Sequence, residues 1–418
     1  VQEKAYWWQN SFLKVKRNSL LIGGQPAADL AEKHGTPLFV YSRGQIQANY
    51  RRLTKILRDN ASIEAYIYYA MKANSHPRLL KILRTEGARI DAVSPGEVAA
   101  ARNAGFPASK ILFTGTSLGI DDLQKVLCHR GVIINIDAEE QLELMRETRE
   151  KWFPHKNFRV SLRINPGIGK GFCSKTVTAG VVAPDGTPIK FGIEKERALQ
   201  VLQRAIDMGF RPLGLHTHLG SGWTGSDFES VTRAVDAMVT TARKIQDHGL
   251  RLEFLDFGGG FGPRYAQEQA IFPVRDYVVF INERIKQAKL TLKSIFFEPG
   301  KYLVGDAGVL LMKVEYLKKS HGNLFACVNA GTFNTAPRPA VYTNAYHQIV
   351  NCGQVRSDDV QEVTVAGNLC ETGDIFARQI PLPVPRRGDI LAYLNAGAYC
   401  RSMASHYNTR DIPKEILI

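Results

Sequence analysis

Through the middle of the chain, short β-rich apolar runs alternate with longer amphipathic stretches. The runs are AYIYYA (65–70), ARIDAVS (88–94), KILFTG (110–115), VIINID (132–137), FRVSLRIN (158–165), PLGLHTHLG (212–220), EFLDFGGG (253–260) and SIFFEPG (294–300). Between them lie helical patterns: PRLLKILRTEG, which stops on Gly87 as a helix C-terminus should, GEVAAARNAG, and the long DFESVTRAVDAMVTTARKIQDHG. Strands that alternate with helices predict βαβ units and a parallel sheet. Eight such units over about 240 residues predict a closed (β/α)8 barrel, with chemistry where its strands end.

After residue 300 the rhythm changes. GVLLMKVEYLKKS, LFACVNAG, YHQIVNCG, VQEVTVAGN and GDILAYLNAG are β-rich with few long helical patterns, so an antiparallel β domain is expected. FLKVKRNSLLIGG near the start is also strand-like and should join it. The expected division is a barrel over 36–300 and a β domain from 1–35 and 301–418. A chain of 418 residues is long enough for two domains without staples.

Composition narrows the class. No apolar run is long enough for a membrane helix, and the start lacks the charged-then-apolar pattern of an export signal. The six cysteines are scattered with no CxxC pair, which argues against a zinc site or disulfide scaffold and for a reducing cytoplasm. The net charge of +14 favours anions, but no nucleic-acid-binding motif is present, so neither a nucleic-acid nor a membrane partner is expected.

Several strand ends carry reactive groups. Lys72 follows the first strand in YYAMKANSHP; a lysine partly desolvated at a barrel mouth can form a Schiff base with an aldehyde, although a lysine there is more often plain surface. Gly258, Gly259 and Gly260 leave room for backbone N–H groups to approach a phosphate, or make a tight turn. Their spacing is not a dinucleotide fingerprint. Glu298, in FFEPGK, suits a protonated pyridine nitrogen or anchors a turn. His216 and His218 lie two apart on one strand face, but no acidic or Cys partner follows at metal spacing. No metal is therefore expected; His218 reads better as a flat imidazole against a ring, with Ser221 toward phosphate. The long Gly- and Lys-rich loop from Asn165 to Phe191 should cover the mouth.

The strings YAMKAN, DAVSPGE, LRINPG, FGI, GLHTHLGSG, LDFGGGFG, EPGKYLVGDAGVLL, RPAVY, CETGD and GAYCRSMASHYN occur in that order from about residue 36 onward. In this the sequence resembles the fold-type III pyridoxal-phosphate decarboxylases, and within them the diaminopimelate decarboxylase family. The resemblance implies pyridoxal 5'-phosphate as cofactor, an amino-acid substrate, a barrel plus β domain, and a homodimer with shared active sites. It implies that Lys72 is the Schiff-base lysine and His218 the stacking imidazole. Ser221, Gly258, Gly259, Gly260, Gly300 and Tyr399 would bind the phosphate, and Glu298 the ring nitrogen. Arg338 and Tyr342 would hold the distal end of the substrate, with Lys301 and Tyr399 as further contacts. Cys370 and Glu371 would reach into the neighbouring subunit's site, and Cys370 or Lys72 would return the proton. The implied reaction turns meso-diaminopimelate into L-lysine and CO2.

Some positions depart from the family pattern. Lys301 stands where Arg is usual, a point charge in place of a bidentate fork. Asn329 replaces an Asp, Thr335 and Ala336 replace bulkier residues, and Asp411 replaces a Pro. These leave room for a related decarboxylase acting on ornithine, lysine or a secondary-metabolite amino acid. A racemase is disfavoured by Glu298 and CETGD. A non-catalytic cofactor carrier is disfavoured by the β domain, and a regulatory homologue by the retained Lys72 and Cys370.

Overall fold

The computed structural model describes residues 5–342 and 344–418. It divides into two units: residues up to Asn49 with Pro263–Gln269 and Lys301–Ile418, and Tyr50–Gly262 with Ala270–Gly300.

The second unit is the barrel. Its strands are β1 (Glu64–Ala70), β2 (Arg89–Ala92), β3 (Ile111–Phe113), β4 (Ile133–Ile136), β5 (Arg159–Asn165), β6 (Arg211–His216), β7 (Phe254–Asp256) and β8 (Ser294–Phe297). Neighbours pair in parallel all the way round, and β8 closes on β1 with Phe296 opposite Tyr66. The helices between them end as their sequences dictate. Pro77–Glu86 stops at Gly87, whose φ of 101° is open to glycine and whose N–H caps the Leu83 and Arg84 carbonyls. Pro95–Asn103 starts at Ser94, whose Oγ accepts the Glu97 N–H.

The end of the barrel where strands begin is plugged. Tyr68, Leu112, Ile133, Leu213, Phe254 and Phe296 pack there as one cluster, with the Phe254 and Phe296 rings stacked at 4.2 Å. Each buried aromatic of this kind contributes about 1.5–3 kcal/mol, so the interior is solid and chemistry is left to the opposite mouth.

The strands β6 and β7 are shorter than their patterns suggest. Thr217–Gly220 and Phe257–Gly260 keep β-type residues but have left the sheet. Gly258 and Gly260 adopt φ values of 64° and 125°, which turn the chain out of the ladder.

The first unit is β-rich. Its main sheet runs Ile349–Asn351, Ile390–Tyr393, Gly308–Ser320, Asn323–Val328, Val360–Ala366, Ile375–Pro383. Most pairings are antiparallel, as expected. Two are parallel: Asn323–Val328 with Val360–Ala366, and Leu38–Tyr41 with Lys414–Leu417. The strand Leu38–Tyr41 is buried on both faces. Leu38 and Val40 join Val309 and Leu311 in one core, and Phe39 and Tyr41 join Leu310 and Met312 in another. Period-two geometry explains why such a strand reads as an unbroken apolar run. The N-terminal hairpin Leu13–Lys16/Ser19–Ile22 packs into the first of these cores. Among the described residues no helix is long and apolar enough to cross a membrane.

Candidate active site

The ends of β1, β2, β6, β7 and β8 converge on one group of side chains. Lys72 sits in the turn just after β1, its side chain 36% exposed, and its Nζ lies 3.6 Å from Oδ2 of Asp91. Asp91 comes from β2, where it stands opposite Ala70. It is fully buried, and burial pushes its carboxyl up to about 7, aided by the charge of Glu298 and opposed by Lys72.

His218 follows β6. Its Nδ1 accepts the Gly259 N–H at 3.2 Å. Burial, then the Lys72 charge, holds it well below the usual histidine range, so the ring is a neutral imidazole with its proton on Nε2.

Glu298 follows β8 and is 4% exposed. Its Oε2 bonds His216 Nε2 at 3.2 Å, and the Asp256 carboxyl lies beside it. Burial pushes this carboxyl up, but His216, Lys72 and His218 outweigh it and hold it below the usual carboxylate range. Asp256, at the end of β7 and opposite His216, moves the other way. Burial and the Glu298 charge push it well above its ordinary value.

The glycine turn is locked between these groups. The Gly258 N–H donates to Asp256 Oδ1 at 2.9 Å, and the Glu298 N–H to the Gly258 carbonyl at 2.8 Å. A Cβ on Gly259 would stand 2.2 Å from the Glu298 carbonyl oxygen, and one on Gly260 2.2 Å from the Trp223 ring. Gly260→Ala therefore forces either the indole or the turn to move. Its cofactor affinity should fall about tenfold or more, by the general cost of overpacking, as read by cofactor titration; unchanged affinity would mean that the turn does not shape the site.

The long loop after β5 lies on the segment that follows β6. Lys170 and Thr178 donate N–H bonds to the Leu219 carbonyl, Thr178 Oγ1 donates to the His218 carbonyl, and the Ser221 N–H donates to the Thr176 carbonyl. It thus fixes the backbone carrying His218 and Ser221.

The arrangement fits a phosphorylated pyridine. The buried Glu298 carboxylate offers an acceptor for a ring N–H. The imidazole of His218 is flat and neutral, the glycine turn has no side chains, and an amine stands at the mouth. No acidic partner follows the histidines at metal spacing along the chain, but the fold supplies two to His216. These are Asp256 and Glu298, with ligand atoms all within 4.8 Å. Spacing along the chain could not reveal this, because the three come from neighbouring strands.

The structure brings Lys72, His218, Ser221, Gly258, Gly259, Gly260 and Glu298 to the mouth of the barrel unit, and Gly300 follows β8 two residues after Glu298. Sequence reasoning missed Asp91, Asp256 and Arg163. Arg163 is 6% exposed, pairs with Asp137 at 3.4 Å and lies over the Phe191 ring. Their one signal was a charge inside an apolar strand.

The remaining expected residues lie in the other unit. Arg338 is 3% exposed, and its Nε donates to His347 Nε2 at 3.0 Å. His347 in turn donates from Nδ1 to the Leu394 carbonyl at 2.8 Å and stacks on Tyr393. Burial, then the Arg338 charge, keeps His347 neutral. The guanidinium also faces the rings of Tyr265 and Tyr342. Lys301 is 4% exposed, with Nζ 5.7 Å from the Tyr399 ring centre. Tyr399 has a positive φ of 55°. Cys370 and Glu371 are exposed in the single chain, and the Cys370 N–H donates to Asn408 Oδ1. Asn329 has a local explanation: its Nδ2 donates to the carbonyl and Oγ1 of Thr36, which an aspartate could not do.

Residues 43–305 match a family described as "Pyridoxal-dependent decarboxylase, pyridoxal binding domain". The chain is 39% identical to the diaminopimelate decarboxylase of Methanothermobacter thermautotrophicus, over 96% of this chain and 91% of that one. Identity to the enzyme of the same name from Aquifex aeolicus is 31%, over 98% and 93%. Among solved structures, diaminopimelate decarboxylase from M. jannaschii in complex with L-lysine superposes with a TM-score of 0.89 at 30% identity, covering 98% of this chain and 93% of that one.

Proposed function

This chain belongs to the diaminopimelate decarboxylase family of pyridoxal-dependent decarboxylases, and we propose that it converts meso-diaminopimelate to L-lysine and CO2. The observation that carries this reading is the buried carboxylate of Glu298, held below its usual range in the same barrel mouth as Lys72. A carboxylate kept ionised there holds a proton on the cofactor's ring nitrogen. Bound pyridoxal phosphate then supplies a deep electron sink for the pair left on the α-carbon when CO2 departs.

The chain's own groups do the rest. Lys72 is the amine that holds the cofactor, and Asp91 keeps its ammonium oriented. His218, neutral and fixed by the Gly259 N–H, presents a flat imidazole that would stack on the cofactor ring. The N–H groups of Gly258 and Gly259 are already engaged within the protein, so Gly260, with Ser221, Gly300 and Tyr399, takes the phosphate. Arg338, held by His347, takes the substrate's distal carboxylate, with Tyr342 and Lys301 beside it. Lys72 and Cys370 are the proton donors for the α-carbon.

A substrate panel tests the function. Purified protein with cofactor is offered meso-diaminopimelate, lysine and ornithine separately, and CO2 is measured. Turnover of meso-diaminopimelate is expected; turnover of ornithine or lysine alone would overturn the assignment. Arg338→Ala removes a buried charge contact worth about 2–4 kcal/mol, so KM for meso-diaminopimelate should rise roughly 30- to 1,000-fold. A rise confined to kcat would argue against a binding role.

The exposed Cys370 and Glu371 support a homodimer in which each subunit completes its neighbour's site. Inactive Lys72→Ala and Cys370→Ala proteins, once mixed and exchanged, should then regain about a quarter of wild-type activity, because half of the dimers carry one intact site. No recovery, with exchange demonstrated, would sink the shared site. The six free thiols fit a reducing cytoplasm, which cell fractionation tests.

A further inference from the structure

The barrel face opposite Lys72 and Glu298, where the strands begin, carries an unassigned basic pocket of about 670 Å³. Its walls come from the residues before or at the starts of β3, β4, β5 and β6: Ser109, Arg130, Gly131, Lys156, Arg159 and Arg211. Nη2 of Arg159 is buried there and makes no hydrogen bond. Burial, and the nearby Arg211, lower the guanidinium's affinity for its proton, so the charge is held at a cost that an acceptor would relieve.

Three features point to a ligand. Among the described residues, Arg130, Lys156 and Arg159 form no ion pair, while Arg211 shares Glu253 with Lys293. Three cationic heads without an ion pair therefore stand around one cavity, although Lys156 lies over the Phe153 ring and Arg159 feels the Glu253 charge. Gly131 keeps the approach open: with φ at 109°, a Cβ there would lie 3.3 Å from the Ser109 nitrogen and 3.5 Å from Arg159 Nη2. A second cleft shares Arg211 with the first; its wall also holds Arg243, paired with Asp247, Lys293, paired with Glu253, and Arg251, which among the described residues forms no ion pair and adds a cation to this face. The concave pocket lies in the size range of small-molecule sites. Of the two aromatic rings in its wall, Phe158 is buried and only His155 is exposed, so it offers no run of stacking platforms for single-stranded nucleic acid.

We propose that this pocket binds a short chain of phosphates, free or as the tail of a nucleotide, with Arg159 at its base and Arg130 and Lys156 at its rim. Guanidinium and ammonium groups at this density match an anion with several adjacent charges better than one with a single carboxylate.

Calorimetry of the cofactor-loaded protein against tripolyphosphate tests this, with ATP in a second arm to separate a free oligophosphate from a nucleotide. One saturable site per chain is expected, with the cofactor's absorbance unchanged. Arg159→Gln should weaken it about tenfold or more, as for loss of a buried charge contact. The double variant Arg130→Glu/Lys156→Glu, altered at the rim, should do the same with kcat and thermal stability retained. It keeps the test valid if Arg159→Gln fails to fold. Absence of saturable binding in both arms, or rim variants that bind like wild type, would overturn the proposal. So would an oligonucleotide that binds this face with affinity rising with length.

Discussion

Lys72→Ala is expected to abolish decarboxylation, with kcat/KM falling roughly a thousandfold or more, as for loss of a covalent catalytic amine. The visible absorbance band that borohydride removes from the wild type should be missing in the variant. The variant should still fold. Lys72 is the larger of the two groups that lower the Asp91 carboxyl, the other being a Thr114 hydrogen bond; with the lysine gone, burial and Glu298 push that carboxyl further above its present value of about 7. Asp91 is then protonated at neutral pH, so losing the lysine does not leave Asp91 as an unpaired buried charge. Cooperative unfolding with near-wild-type stability, together with lost activity, is therefore the expected pair of results. An unchanged absorbance band would show that another lysine holds the cofactor.

Glu298→Gln keeps the shape of the side chain and removes its charge. The ring nitrogen then loses the partner that keeps it protonated, and the electron sink becomes shallower. By the usual scale for one preorganised electrostatic contact, kcat should fall about 100- to 1,000-fold, or about 2.7–4 kcal/mol. His216 can still bond the amide, so the fold should hold. Because His216, Lys72 and His218 keep the native carboxyl ionised, its own titration should not appear in the neutral part of the wild-type pH–rate profile. A variant as fast as wild type would mean that Glu298 only anchors the turn before Gly300.

Much of this site could be read before the fold was known. Lys72, His218, Ser221, the three glycines and Glu298 each follow a β-rich run, and a parallel barrel places such positions on one face. What stayed hidden depends on strand register. Asp91 meets Lys72 because it stands opposite Ala70, and Asp256 meets Glu298 because it stands opposite His216. No periodicity along one strand encodes those pairings. The ends of β6 and β7 were hard to place for a related reason. Thr217–Gly220 and Phe257–Gly260 have strand-like composition, yet positive φ values at Gly220, Gly258 and Gly260 turn them out of the sheet. In the other unit, Arg338 was visible in RPAVY, but its orienting chain through His347 to the Leu394 carbonyl joins segments far apart in sequence.

One measurement bears most directly on the shared pocket of amine, carboxylate and glycine turn. Cofactor-loaded protein is reduced with borohydride and digested, and the peptide carrying the pyridoxyl group is sequenced by mass spectrometry. The group should be found on Lys72 in YYAMKANSHP and on no other lysine. A modified lysine elsewhere, or no modified peptide from protein that binds the cofactor, would contradict the account.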